Sequence, residues 1–338
     1  MASLYDVAKL AGVSISTVSR VIHNTVPVDK GTRRRVEDAI KKTNYRPNLL
    51  AQGLRGKSRN FIGLVVPEIS HNTFARFIDF VEQATRETGF ELLLRNTNEN
   101  PELEEQFIDK LIRLHVSGVI FVRVSDQSRI FRMLNETDIP FVVIDRALKK
   151  EDIPTIVLDN YAAGRIAAEH LHSLGHTEVG CITGSYDIFL SRERLRGFTD
   201  YFLEQNIVIS HSNIFEGDFK FASGNQAARY FLSRQHMPTA IWSQNDLMAI
   251  GAIKEFTNAG LSIPKDLSII GMDDLEVCNM ITPSLTSISQ PFEEMARKSV
   301  EAIINAIDNP KTTQQQSSSL HSKLIIRDST ASPYNKEG

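Results

Sequence analysis

With 338 residues, 41% hydrophobic and 23% charged, the chain has the length for two or three globular domains, which excludes wholesale disorder. The net charge of −3 is uneven: residues 1–60 carry twelve Lys/Arg against four acids, a net of +8, which leaves −11 on the rest. No run approaches the ~18 consecutive apolar residues of a membrane helix, and only two cysteines occur, so a membrane-spanning chain and a disulfide scaffold are both excluded.

In chain order, Met1-Ala2-Ser3-Leu4-Tyr5-Asp6 shows no basic segment leading into an apolar one, so no secretory leader is expected. Cys181 and Cys278 lie among apolar neighbours, which agrees with a reducing cytoplasm. Residues up to 46 read as three short helices. Ser3 caps the first, with Asp6 in capping-box position, and Leu4, Val7, Ala8 and Ala11 share one face. Gly12 stops it by supplying the positive φ of a tight turn. Ser14 caps the second helix, Ile15 to about His23, whose inward face is Val18, Val21 and Ile22. The third runs from Asp29 to about Thr43 over Val36, Ala39 and Ile40, and Pro47 closes the unit. The link Ala11-Gly12-Val13-Ser14 has helix-turn-helix spacing. Any small three-helix domain can show that spacing, but a basic head on an acidic body weights it towards DNA.

From Phe61 short apolar runs alternate with amphipathic helices. Strands are expected at 61–66, 91–94, 118–122 and 141–144, with helices at 74–88, 102–114 and 127–136. After Asp159 helices follow at 161–174, 192–205, 222–234 and 247–259, with strands at 179–183, 240–242 and 268–272. This βαβα order predicts parallel sheets in two α/β subdomains. Residues 292–308 form one more helix, and Lys311 to Ser319 (KTTQQQSSS) reads as a polar surface loop. Leu324-Ile325-Ile326 is a late strand, and no repeat of 20–50 residues is visible beyond the α/β units.

Tyr5 to Ser14 (YDVAKLAGVS) followed by Thr17-Val18-Ser19-Arg20-Val21 resembles the DNA-binding head of the lactose repressor/galactose repressor (LacI/GalR) family. Tyr45-Arg46-Pro47-Asn48, with Ala51 and Leu54, resembles that family's hinge. The body carries Leu174-Gly175-His176, Arg194-Leu195-Arg196-Gly197-Phe198, Asn245 to Gly251 (NDLMAIG), Gly271-Met272-Asp273-Asp274 and Arg327-Asp328-Ser329, all similar to family signatures. The resemblance covers about residues 4–329. It implies a homodimeric, effector-controlled transcription factor with a periplasmic-binding-protein-like core of two doubly wound α/β subdomains. The implied division is a helix-turn-helix domain (1–47), a hinge helix and linker (48–60), an N-terminal effector subdomain (61–160 plus 292–322), a C-terminal one (161–291 plus 323–330) and a tail (331–338).

In such a head the second helix lies in the major groove with its first residues at base edges. Ile15 suits a thymine methyl, and Ser16 accepts or donates to several bases. Thr17 and Ser19 suit phosphates, while Arg20 reads guanine or clamps a phosphate. The hinge, Asn48 to Arg55, holds about two turns and includes Gly53, so it is marginal as an isolated helix and folds when two copies pack on DNA. Within it Leu54 resembles a wedge between base pairs of the minor groove.

For the effector, the family and its sugar-binding relatives imply Phe74, Asp145, Arg146, Arg194, Phe219, Asn245, Asp273 and Gln290. Most follow predicted strand ends, where ligands of open α/β sheets bind. The family's common Asn-Pro-Phe-Phe run is here His71-Asn72-Thr73-Phe74, so Thr73 stands where the first aromatic is usual. A free pentose or hexose is the first choice, and the altered platform argues against ribose itself. Asp273 argues against a phosphorylated ligand, and a purine clamped by Phe74 and Phe219 is the alternative.

No phosphate-binding, dinucleotide, zinc-protease or nucleophile-elbow motif occurs, so an enzyme is not expected. His170 and His172 are two apart on a helix and cannot face one another, so no metal and no cofactor are expected. The reading is a repressor of a carbohydrate-utilisation operon, bound to pseudo-palindromic double-stranded DNA and released by a small sugar. The rivals are a purine- or partner-protein-dependent co-repressed regulator and a sugar-binding transport protein. The ten residues after Asp328 include Pro333 and no apolar heptad, so a homodimer rather than a tetramer is expected.

Overall fold

The computed structural model describes residues 2–23, 26–45, 61–69, 72–122, 129–144, 154–309 and 317–333. The chain divides into two compact units, Met1–Arg59 and Asn60–Gly338. In the first, α1 (Leu4–Ala11), α2 (Ile15–His23) and α3 (Lys30–Thr43) enclose Val7, Ala8, Ala11, Val18, Val21, Val36 and Ala39. Its helix ends follow from local chemistry. The Asp6 backbone N–H donates to Ser3 Oγ at 3.3 Å, and the Ser3 N–H returns to Asp6 Oδ2 at 2.8 Å, a complete capping box. Gly12 takes φ +64° at the end of α1. Ser14 Oγ accepts from the Thr17 N–H at 3.2 Å, and Asp29 Oδ1 accepts from Thr32 at 3.0 Å.

The second unit begins with β1 (Phe61–Val66), α4 (Asn72–Glu87), β2 (Glu91–Asn96), α5 (Pro101–Arg113), β3 (Gly118–Val122), α6 (Arg129–Asn135), β4 (Phe141–Ile144) and β5 (Thr155–Leu158). It continues with α7 (Asn160–Ser173), β6 (Val179–Thr183), α8 (Phe189–Glu204), β7 (Ile214–Glu216), α9 (Phe221–Leu232), β8 (Ala240–Ser243), α10 (Asp246–Asn258) and β9 (Ser268–Asp273). Then come β10 (Thr286–Ser289), α11 (Phe292–Asp308), β11 (Ser318–Leu320) and β12 (Lys323–Ile325).

Two six-stranded sheets result. The first runs β11-β5-β4-β3-β1-β2, all parallel; the second runs β12-β10-β9-β8-β6-β7, parallel except for β12. Strands β3, β4, β6 and β8 are buried throughout, as expected where helices cover both faces. Among the described residues the chain passes between subdomains after β5, after β10 and after β11. Helix α11 returns to the first sheet, where Phe292, Met295, Ala296, Val300 and Ile303 join its core. No described helix is long and apolar enough to cross a membrane.

Helices α7 and α8 cross with backbones almost in contact. A Cβ at Gly164 would overlap the Arg194 carbonyl, and one at Gly197 would overlap the Tyr161 carbonyl. The two glycines thereby set the axis separation above Ala163, Ala167, Phe198 and Phe202.

Four short strands depart from the sequence expectation: Thr155–Leu158, Ile214–Glu216, Thr286–Ser289 and Ser318–Leu320. The polar run expected as a loop ends in one of them, since Ser318 and Ser319 pair with Ile156 and Val157 of β5. An edge strand is defined by its partner's backbone and needs no apolar pattern of its own. Residues 311–316 of that run lie outside the described residues.

Candidate functional site

Between the two sheets, beyond the C-terminal ends of their strands, lies a cavity of about 260 Å³. It brings together Phe74 from the first turn of α4, Arg194 from α8, Phe219 just before α9, Asn245 at the start of α10, Asp273 closing β9 and Gln290 after β10. Asp145 and Arg146 lie outside the described residues.

The polar end of the cavity centres on Asp273, which is only 2% exposed. Its Oδ1 accepts from Gln290 Nε2 at 2.5 Å, and its Oδ2 accepts from Thr73 Oγ1 at 2.9 Å. Arg194 is also buried, with Nε donating to Asn160 Oδ1 at 2.8 Å and Nη1 to the Gln244 carbonyl at 3.1 Å. Both polar ends of the Asn245 side chain are engaged. Oδ1 accepts from the Met248 N–H at 3.0 Å and caps α10, while Nδ2 donates to the Phe219 carbonyl at 2.7 Å. That bond holds Phe219 at φ +65°, where its ring lies over Gly184; a side chain at Gly184 would overlap the ring. Asn245 therefore acts at the wall mainly by fixing an aromatic face.

Beneath Asp273, Asp246 is fully buried, and its Oδ1 and Oδ2 accept from Ser287 Oγ at 2.6 Å and the Leu275 N–H at 2.8 Å. Burial, then the neighbouring Asp273 charge, push its carboxyl up to about 7. Asp273 and Asp274 adopt φ +113° and +55°, and Asp274 is held by Arg327 at 2.6 Å. From the opposite subdomain Arg76 Nη1 donates to the Asp274 carbonyl at 2.8 Å and to the Asp273 carbonyl at 3.4 Å.

Sequence reasoning missed much of the wall. Pro67, Glu68, Glu99 and Ser185 follow strands β1, β2 and β6, so the strand-end rule was the available signal. Phe77, Ile188, Leu190, Phe292 and Met295 add an apolar side that no motif announced. Asp218 and Lys220 flank Phe219 at the rim.

On the other unit, Ser14, Ile15, Ser16 and Arg20 are exposed, while Thr17 and Ser19 are half-buried. Ser14 Oγ also lies 2.8 Å from Ser16 Oγ and 2.9 Å from Thr17 Oγ1, so it organises the start of α2. Asn48, Ala51 and Leu54 lie outside the described residues. Among the described residues no group of three or more His, Cys, Asp or Glu could hold a metal ion. His170 and His176 instead bond Thr330 Oγ1 at 3.0 Å and the Ala331 carbonyl at 2.9 Å, fastening the last described segment to the second subdomain.

Residues 3–48 match the family model for bacterial regulatory proteins, lacI family, and residues 168–330 match a periplasmic binding protein-like domain. The chain is 36% identical over 330 residues to the HTH-type transcriptional repressor PurR of Actinobacillus pleuropneumoniae serotype 3 (strain JL03), covering 97% of this chain and 98% of that one. It is also 36% identical over 336 residues to the HTH-type transcriptional regulator DegA of Bacillus subtilis (strain 168), covering 98% and 99%. Among solved structures, the lac repressor dimer bound to operator and the anti-inducer ONPF superposes with a TM-score of 0.89 at 28% identity, covering 98% and 99%. The complex of the transcriptional regulator CelR with cellobiose gives 0.73 at 29% identity, covering 97% and 100%.

Proposed function

Because the chain belongs to the lacI family of bacterial regulatory proteins, DNA-binding regulators rather than enzymes, we propose that it is a repressor released from its operator by a small neutral sugar. As a member of that family it binds operator DNA and a small-molecule effector and acts as a dimer. The sugar is our reading of the cleft. Its main support is Asp273, a buried carboxylate at one end of a cavity whose walls include Phe74 and Phe219. Carboxylate, amide and guanidinium groups pair with ring hydroxyls, and aromatic faces cover the C–H side of a sugar. The volume is below the roughly 300–1,000 Å³ of drug-sized pockets, which agrees with a ligand as small as one sugar ring. A purine is the second reading, favoured by the apolar side of Ile188, Leu190 and Met295.

In the head, Ile15 and Ser16 are assigned to base edges, Thr17 and Ser19 to phosphates and Arg20 to guanine, with Ser14 as the cap that aims them. Asn48, Ala51 and Leu54 are assigned to the minor groove, and Asp145 and Arg146 to the effector. A ligand in the cleft shifts the balance between the forms of the two subdomains only by its difference in affinity for them. Calorimetry of the full chain against pentoses, hexoses, sugar phosphates and purines tests the assignment. The expected result is binding of one free sugar, loss of that binding in Asp273→Ala, and a 10- to 100-fold weaker operator affinity when the sugar is present. Binding of a purine alone replaces the sugar, and a ligand that tightens operator binding makes the protein co-repressed.

A further inference from the structure

Asp273 serves two purposes at once. It belongs to the second sheet, yet Thr73, which bonds its Oδ2 at 2.9 Å, belongs to α4 of the first. Three residues along α4, Arg76 reaches the carbonyls of Asp273 and Asp274. The two subdomains are thus joined across the cleft by side chains of this chain alone, at the very carboxylate assigned to the effector. Gln290 occupies the other oxygen from within the second subdomain's own crossover.

We propose that Thr73 and Arg76 form a latch across the cleft, and that the Thr73 hydroxyl holds the place of an effector donor on Asp273. The chemistry follows from the donors present. A hydroxyl three residues before an arginine on one helical turn presents both groups to the same loop. Asp273 and Asp274 sit at positive φ, so their carbonyls are turned out of the strand ladder, where Arg76 takes them up. A phenylalanine at position 73 would offer a face and no donor; threonine offers a donor and closes the cleft on itself. An effector hydroxyl or N–H that takes the Oδ2 lone pair now used by Thr73 displaces it, and such an effector binds against the latch. Ligands lacking such a donor leave the latch intact.

The competition step rests on the assignment of Asp273 to the effector; the latch does not. Full-length protein carrying spin labels at Glu102→Cys and Asp187→Cys, both exposed, reports the distance between subdomains, because Cys181 and Cys278 are buried and do not label. Without added ligand, one short distance should dominate. Thr73→Val combined with Arg76→Ala should move at least half of that population to longer distances, and Thr73→Ser should leave it in place. Circular dichroism establishes that each variant is folded. Unchanged distances in the double variant overturn the latch. In calorimetry with the same sugars and purines, any compound whose binding is lost in Asp273→Ala should bind Thr73→Val about tenfold more tightly, the worth of one hydrogen bond to a charged group. Equal or weaker binding overturns the competition. If no compound binds, the distance measurement alone decides the latch, and the effector reading fails separately.

Discussion

Gly197→Ala tests whether the α7–α8 crossing is as tight as its geometry requires. In an exposed helix this change gains about 1 kcal/mol from propensity. Here the new Cβ would lie 2.8 Å from the Tyr161 carbonyl carbon and closer still to its oxygen, whereas ordinary contact starts at 3.4 Å. Both partners are backbone and have no rotamer through which to yield. The oxygen contact governs, so the helices must part by at least about 1 Å, and a radial gap of that size forfeits about half of each dispersion contact between them. Overpacking of this kind costs about 1–3 kcal/mol, which outweighs the propensity gain. Thermal unfolding followed by circular dichroism should show a Tm lower by several degrees. Gly164→Ala meets Arg194 and Phe198 backbone atoms at the same crossing, so the two changes should not add. Once the first methyl has parted the helices, the second enters an opened gap, and the double variant should fall short of the sum by about 1 kcal/mol. Effector affinity should fall as well, because the parted helices stretch the 2.8 Å bond from Arg194 to Asn160. A Tm equal to or above the parent in Gly197→Ala would falsify the reasoning, since propensity would then have won over contact.

The remaining predictions concern a proton, a base contact and a cap. Folded Asp246 holds its proton up to about pH 7, whereas the unfolded group loses it near 3.8, so the folded state binds more protons between those values and stability falls as pH rises through that window. Asp246→Asn should flatten the dependence of Tm on pH from 4 to 8; an unaltered slope rules out Asp246 as its source. Arg20→Ala should weaken operator binding more than binding to random DNA, and equal losses would mean that Arg20 only holds phosphate. Ser14→Ala removes the cap of α2 and should cost about 1 kcal/mol of head stability. Operator affinity, measured by fluorescence anisotropy at fixed salt, should drop with it, while ligand binding to the cleft stays as in the parent.

The head was legible because its rules are local. Ser3 with Asp6, Gly12 at positive φ and the inward face of Val18, Val21 and Ile22 all act within a few residues of one another. The strands buried on both faces were legible for the same reason, as continuous apolar runs between helices. Thr155–Leu158, Thr286–Ser289 and Ser318–Leu320 were not, because they are three or four residues long and the last two are mostly Ser and Thr, so no long apolar run marks them; Ser318–Leu320 is a strand only through β5, more than 150 residues earlier. The resemblance to a family supplied Phe74, Arg194, Phe219, Asn245, Asp273 and Gln290 without their geometry. That Asn245 spends its Nδ2 on the Phe219 carbonyl depends on how α9 and α10 pack within the second subdomain, and that Thr73 bonds a carboxylate 200 positions away depends on how the two sheets meet. No periodicity encodes that meeting.

The three passages between subdomains also order events during synthesis. Strand β5 emerges roughly 160 residues before β11, the neighbour that covers its open edge, and the second sheet waits for β12 and for the Ser329 and Ala331 bonds to its floor. At about 5–20 residues per second, the ribosome leaves that first edge unpaired for about 8–30 s. Neither subdomain can close while the chain is still growing, whereas the three-helix head is complete within its first 45 residues. A nascent chain therefore presents a finished head on an unfinished body. Transcripts cut short upstream of β11 would yield proteins whose open sheet edges invite chaperones or aggregation.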